Sequence, residues 1–239
     1  MATPHDGLPA ARSAPHGTPA SPHLAVRGEA RLDVGPELAR LDITVGARGR
    51  DRRATLDDLT RRNATALDLV RSFGDGVERL ETGSLTVTPE LGPRGRGERV
   101  RSHHGTVRLA AELSDFTVLG DLATRLADLE LTRVEGPRWS LRPDSPAHRR
   151  ARQEAVHDAV RRAREYAEAL GTALDALVEL ADAGVPDVVH PESFAGMRSP
   201  GFARSAAGEE PPPLDLEPQR QWVHAEVTAR FTLVPPDLR

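Results

Sequence analysis

The chain has no cysteine among its 239 residues. That absence removes disulfides, thiolate nucleophiles and zinc–thiolate sites together. It has no lysine either, because all 32 basic residues are arginine. Schiff-base chemistry, a phosphate-loop lysine and a lysine general base are thereby excluded. Aromatics are scarce, with eight in the whole sequence, so a core has to be built mainly from Val, Leu and Ala. No segment approaches the ~18 apolar residues of a membrane-spanning helix, and no membrane span is expected. Residues 1–23, MATPHDGLPAARSAPHGTPASPH, are too rich in proline and too poor in apolar residues for a secretory signal. They read as a disordered tail on a soluble, cytoplasmic protein. The formal net charge of -4 argues against a general polyanion binder.

What the chain does have is a stripe of alanines at every fourth position: Ala147, Ala151, Ala155, Ala159, Ala163 and Ala167. A period of four is close to the 3.6-residue turn, so the methyl groups trace one slowly winding ridge on a helix. Small side chains on such a ridge let the helix backbone approach its neighbour closely. Charged residues such as Arg149, Arg152, Asp158, Arg161 and Glu165 fill the other faces, and Gly171 stands where a helix stop is needed.

Strands alternate around this helix. Val26, Gly28, Ala30, Leu32 and Val34 alternate with charged residues, and Ala39, Leu41, Ile43 and Val45 make a second alternating strand after the Gly35-Pro36 turn. A helix is predicted over 53–73, ended by Gly74-Asp75-Gly76. Gly83, Leu85 and Val87 suggest a strand before Pro89, and 92–97 a flexible hairpin loop. In the returning strand Val107, Leu109, Ala111 and Leu113 point inward, while Val100 has the opposite parity, which predicts a bulge or twist near His103-His104-Gly105. A second helix is expected over 116–127 with Asp115 near its N-cap. A strand over 134–142 follows, with an edge or bulge at Gly136-Pro137. Residues 174–183 fit either helix or strand spacing. The stretch at about 184–221 is rich in Pro, Gly and Ser and is expected as a loop. The final strand has the longest clean alternation, with Val223, Ala225, Val227, Ala229, Phe231 and Leu233 inward.

Taken in order, Val26-Arg27-Gly28-Glu29-Ala30, Pro36-Glu37, Asn63, the Leu85-to-Pro89 strand, Ala151-Arg152 through Asp158-Ala159, Tyr166-Ala167-Glu168-Ala169-Leu170-Gly171 and Leu216-Glu217-Pro218 resemble the SIMPL-domain family. The resemblance covers Leu24 to Val234. It implies an α+β fold, a largely antiparallel or mixed sheet of about seven strands with three main helices packed on it. The domain is expected over 24–235. It favours a strand over 174–183. Some relatives form ring-like oligomers, so a homo-oligomer is expected, with an unidentified protein partner as a further expectation. The family's members include periplasmic immunogens and stress-associated envelope proteins, which implies a stress or DNA-damage setting but no established catalytic residue and no cofactor. Two departures matter: many relatives carry a signal peptide, and a glycine commonly stands where this chain has Gln219.

The candidate sites each have a plainer reading. His103 and His104 are adjacent on a strand and point to opposite faces, so they make no simple metal pair. His157 has Arg161 four residues on rather than a second histidine. Arg149, Arg150, Arg152, Arg161, Arg162 and Arg164 form a basic stripe, but Asp158–Arg162, Arg161–Glu165 and Arg164–Glu168 have intrahelical ion-pair spacing. Arg94, Arg96, Arg99 and Arg101 form a second cluster and are the candidate nucleic-acid contacts, although no aromatics interleave for stacking. Asn63-Ala64-Thr65 matches a glycosylation pattern inside a predicted helix, and coincidence is the reading. Asp57-Asp58 and Glu209-Glu210 lack a matching base, nucleophile or ligand set. Trp139 and Trp222 read as core or interface anchors. The sequence therefore points to a non-enzymatic oligomeric scaffold with no catalytic, metal or cofactor residue. An enzyme with a site assembled from dispersed residues and a weak nucleic-acid binder are the alternatives.

Overall fold

A computed structural model describes residues 17–91, 100–182 and 214–238. Its elements run β1 (His23–Val34), β2 (Leu38–Gly49), α1 (Arg52–Arg71), β3 (Val77–Leu91), β4 (Val100–Leu113), α2 (Leu119–Ala127), β5 (Thr132–Ser140), α3 (Pro146–Ala169), β6 (Leu174–Asp182) and β7 (Gln221–Leu233). The class is α+β, with seven strands and three helices. The strands divide between two sheets, ordered β1-β7-β6 and β3-β4-β2-β5. Alternation reports which face of a strand is buried, not which strand lies beside it, so this division was not legible in the pattern. Two compact units result, one holding β1, α3, β6 and β7, the other holding the remaining elements.

In the first unit, β1 buries Val26, Gly28, Ala30 and Leu32, and β7 buries every inward residue expected of it. Residues 17–22, inside the expected tail, form a turn in which Thr18 and Ser21 exchange backbone hydrogen bonds of 3.0 Å. The Pro22 carbonyl then accepts from the Leu233 N–H at 2.9 Å. The remainder of the tail lies outside the described residues, as do the 92–99 loop and most of the Pro/Gly-rich stretch.

Helix α3 starts on Ser145, whose hydroxyl accepts from the Ala147 N–H at 3.3 Å, with Pro146 at the first helical position. It ends in paired bonds, Gly171 N–H to the Glu168 carbonyl and Thr172 N–H to the Ala167 carbonyl, each 2.9 Å. That closure requires a left-handed residue, and Gly171 supplies it at φ 65°. Ala151, Ala155, Ala159, Ala163 and Ala167 are all buried, so the ridge is the packed face. Gly28 is why it packs so closely. A Cβ there would lie 2.1 Å from the Ala155 carbonyl oxygen and 2.5 Å from the Ala159 nitrogen. Strand and helix backbones touch at this point.

The second unit's core gathers Leu41, Ile43 and Val45 of β2, Leu109 and Leu113 of β4, and the buried leucines of α1 and α2. Asp51 caps α1 by accepting from the Ala54 N–H at 2.8 Å, and Asp115 accepts from the Thr117 N–H at 2.9 Å ahead of α2. Trp139 is buried edge-on to Phe116, with ring centroids 4.8 Å apart. At Gly136-Pro137 the β2–β5 register shifts, and β5 is an edge strand.

Two local expectations need correction. The β2–β4 register is unbroken through His103, His104 and Gly105. The irregularity lies instead against β3, where Ser102 faces Glu90 and Val100 faces Leu91, so Arg101 is the extra residue. β3 begins at Val77, six residues before the stretch read as a strand, and it is an edge with two further register shifts. Bulges break a two-residue period, which hid its first half. Leu85, on this edge strand, is 63% exposed.

Candidate functional site

Helices α1 and α2 cover one face of the four-stranded sheet. The other face is polar, and the strand register determines what meets there. Arg108 of β4, Thr44 of β2 and Arg133 of β5 form one cross-strand row, since Thr44 pairs with both arginines. The next row sets Thr86 beside Thr106 and Thr106 beside Gly46, and the row beyond sets Thr88, His104 and Arg48 together. Between these rows lies an open depression of about 590 Å³. Gly46 contributes no side chain to it, and the Gly46 N–H donates to the Leu131 carbonyl at 2.8 Å. Leu131 stands at the rim, 53% exposed, with φ 55°. A bulky residue in the left-handed region is an outlier among non-glycine residues.

The charges around the depression are unequal. Arg48 and Arg133 face one carboxylate, Glu90. The Ser102 hydroxyl donates to Glu90 at 2.6 Å and Arg48 ion-pairs with it. Those hydrogen bonds, the serine's first, hold the Glu90 carboxyl below the usual carboxylate range. Arg133 uses its Nε on Glu135 at 2.8 Å, an exposed pair. A second depression along the same face, about 710 Å³, is lined by Arg40, Asp42, Glu81 and Arg108, and its charges balance.

Of the candidate nucleic-acid contacts, Arg94, Arg96 and Arg99 lie outside the described residues. Arg101 is described and exposed at its bulge. On the α3 stripe Arg150, Arg161 and Arg162 engage acidic neighbours: Asp158 accepts from Arg162 at 2.8 Å and pairs with Arg161, Arg161 reaches Glu165 at 3.2 Å, and Arg150 reaches Glu154 at 3.3 Å, whereas the expected Arg164–Glu168 pair does not form among the described residues. Asp158 also accepts from the Glu29 N–H at 3.1 Å, tying α3 to the outer edge of β1. His103 Nδ1 lies 3.3 Å from the Arg50 carbonyl. Among the described residues, no group of three His, Cys, Asp or Glu is placed to hold a metal ion. Asp57 pairs with Arg53, and Asp58 with Arg61 and Arg62; Glu209 and Glu210 lie outside the described residues. Asn63 is on α1, with its Oδ1 buried and unpartnered among the described residues. Trp222 is half-exposed under the Arg31 guanidinium, 4.1 Å from the ring centroid.

β6 is the outer strand of the three-stranded sheet. Leu177 lies opposite Phe231 and Leu180 opposite Ala229, both buried positions of β7. The two leucines therefore belong to the sheet's inner face, yet they are 55% and 46% exposed, and Val178 between them is 53% exposed.

A family model described as SIMPL, protein of unknown function (DUF541), matches residues 24–231. The chain belongs to the SIMPL family. A relative from Edwardsiella ictaluri (strain 93-146), "Uncharacterized protein YggE", is 22% identical over 157 residues, 65% of this chain and 66% of that protein. The match thus spans just under two thirds of the relative's length. Among solved structures, a Burkholderia cenocepacia chain named as an amidohydrolase/peptidase covers 62% of this chain and 34% of its own length, at 17% identity and a TM-score of 0.24. A similarity that low carries no argument about activity. Among the described residues, no helix of this SIMPL protein is long and apolar enough to cross a membrane.

The open-face row Arg108–Thr44–Arg133 was not singled out from the sequence. Its members are the polar partners of the apolar alternation, a visible signal. Only the pairing of three strands brings residues 44, 108 and 133 together.

Proposed function

We propose that this SIMPL protein is a non-catalytic interaction protein that self-associates through β6. The observation supporting this reading is the exposure of Leu177, Val178 and Leu180 on a strand whose outer edge has no neighbour among the described residues. Such an edge offers unpaired N–H and C=O groups, and apolar side chains beside it add burial on association. A second copy suits it better than an unrelated strand because the edge is self-complementary. Val178 is the extra residue where the β6–β7 register shifts, and an antiparallel pairing about a two-fold axis there sets Leu177 opposite Glu179, Asp175 opposite Ala181 and Leu174 opposite Asp182. No two acids then face each other, so like-charge repulsion does not oppose the pair. The family's ring-forming members support the same reading, and its stress association supplies the setting in which we place it.

Light scattering over a concentration range tests the proposal. The parent should show an oligomeric mass, and Val178→Arg should shift it toward the monomer with unchanged circular dichroism. A strictly monomeric parent at high micromolar concentration, or a Val178→Arg protein that stays oligomeric, would remove this interface.

A further inference from the structure

We propose that the depression on the open face of the four-stranded sheet binds a small organic anion, with one carboxylate or phosphate group and an apolar body. Three observations carry it. First, its lining holds two guanidinium groups, Arg48 and Arg133, against the single carboxylate Glu90. Glu90 is occupied by Ser102 and Arg48, so it needs no further cation. Arg133 spends only its Nε on Glu135, which leaves the terminal N–H groups of a planar fork suited to an oxyanion. An exposed pair of this kind contributes little and gives way easily to a better acceptor.

Second, the floor offers neutral donors without employment. The Thr44 and Thr106 hydroxyls line the depression and make no hydrogen bond among the described residues. They lie in the rows flanked by Arg133 and Gly46. A hydroxyl can donate to the same oxyanion that a guanidinium binds from the side.

Third, the rim is apolar and strained. Leu131 holds φ 55° and stays half-exposed, and Pro89 lines the opposite part of the depression. Glycine would occupy that backbone conformation without steric cost. A leucine there places an apolar side chain over the Gly46 floor, with its Cβ 3.7 Å from where a Gly46 Cβ would sit. Local strain of this kind points from an observed outlier toward a function. The depression, about 590 Å³, falls in the range of small-molecule sites. Glu90 at its edge, Glu135 beside Arg133 and the overall charge of -4 disfavour a long polyanion. A single charged head with an apolar body suits it better.

The test uses the full chain and three probes sharing one ring: phenyl phosphate, benzoate and benzyl alcohol, titrated by calorimetry and by amide chemical shifts. At least one of the two anions should bind saturably with shifts at Thr44, Gly46 and Thr106, and the neutral alcohol should not. Which anion binds more tightly identifies the head group. Arg133→Gln should weaken binding by about tenfold or more, the loss expected for a charge-assisted contact, and Thr44→Val should weaken it severalfold. Arg149→Gln, at an exposed position of α3, should leave it unchanged. Arg133 is exposed on an edge strand, so its variant should fold, and the thermal midpoint checks this. Failure of both anions to saturate, equal binding of the alcohol, or retention of affinity in both Arg133→Gln and Thr44→Val would overturn the proposal. An oligothymidylate titrated alongside them as a polyanion control should not bind, and its binding without either small anion would also overturn the proposal.

Discussion

Replacing Gly28 by alanine is the sharpest probe of how α3 is seated on β1. The new Cβ would lie 2.1 Å from the Ala155 carbonyl oxygen, 2.5 Å from the Ala159 nitrogen and 2.7 Å from the Ala159 Cβ. Ordinary contact between such atoms is ~3.5–4.0 Å, so strand and helix must separate by roughly 1 Å or more. Two of the three obstructing atoms are backbone, and no rotamer change relieves them. A gap of ~0.5–1 Å forfeits a quarter to a half of the dispersion energy along the contact. Five buried alanines line that contact, and none has a longer side chain with which to refill the gap. Overpacking costs ~1–3 kcal/mol, and backbone obstruction puts Gly28→Ala at the upper end. Reduced freedom of the unfolded chain returns ~0.5–1 kcal/mol. The net destabilisation is about 2 kcal/mol, a fall of roughly 4–8 °C in the thermal midpoint at this chain length. Scanning calorimetry reads it directly. Adding Ala159→Gly removes only the methyl contact and costs ~1 kcal/mol in helix propensity, so the double variant should be no more stable than Gly28→Ala alone. A Gly28→Ala protein melting within about 1 °C of the parent, or a full rescue by Ala159→Gly, would refute backbone contact as the reason for glycine here.

Three further outcomes are expected. Ala159→Leu should destabilise by ~1–3 kcal/mol in chemical denaturation, because the ridge is buried; an unchanged midpoint would place it in solvent. For Asp158, burial pushes the carboxyl up, but the Glu29 N–H and the Arg161 and Arg162 guanidinium groups outweigh it and hold it below its usual range. The folded state therefore binds fewer protons than the unfolded state, whose value is about 3.9, and the stabilisation is present above that pH and lost as pH falls through the folded value. Asp158→Asn should lower the urea midpoint at neutral pH, with the difference from the parent shrinking below about pH 4; a difference independent of pH would contradict this. Gly136→Ala should destabilise by ~1–3 kcal/mol, because φ is 126° and the Cβ would meet the Arg40 carbonyl oxygen at 2.7 Å; a parent-like melting curve would count against strain at that position.

Much of the architecture is written in local pattern. The alternations of β1, β2 and β7 and the four-residue alanine period of α3 identified elements and buried faces together, because strand and helix periods differ and each side chain's direction follows from its period. Gly171 and Asp115 likewise act within a few residues of their own positions, where local hydrogen bonding decides the outcome. Pairing is different in kind. Which strands lie side by side depends on contacts between residues far apart in sequence, so the division into two sheets was not legible, and neither was the bulged first half of β3. The anion site follows the same division. Thr44, Thr106 and Arg133 are individually ordinary polar positions on half-buried strands, and the arginines that did attract notice were those close together in sequence. Only the antiparallel register of β4, β2 and β5 brings residues 44, 106 and 133 to one depression, and only the left-handed backbone of Leu131 sets an apolar rim beside it. A sequence specifies side-chain direction locally, whereas proximity across a sheet is decided by long-range hydrogen bonding and core packing.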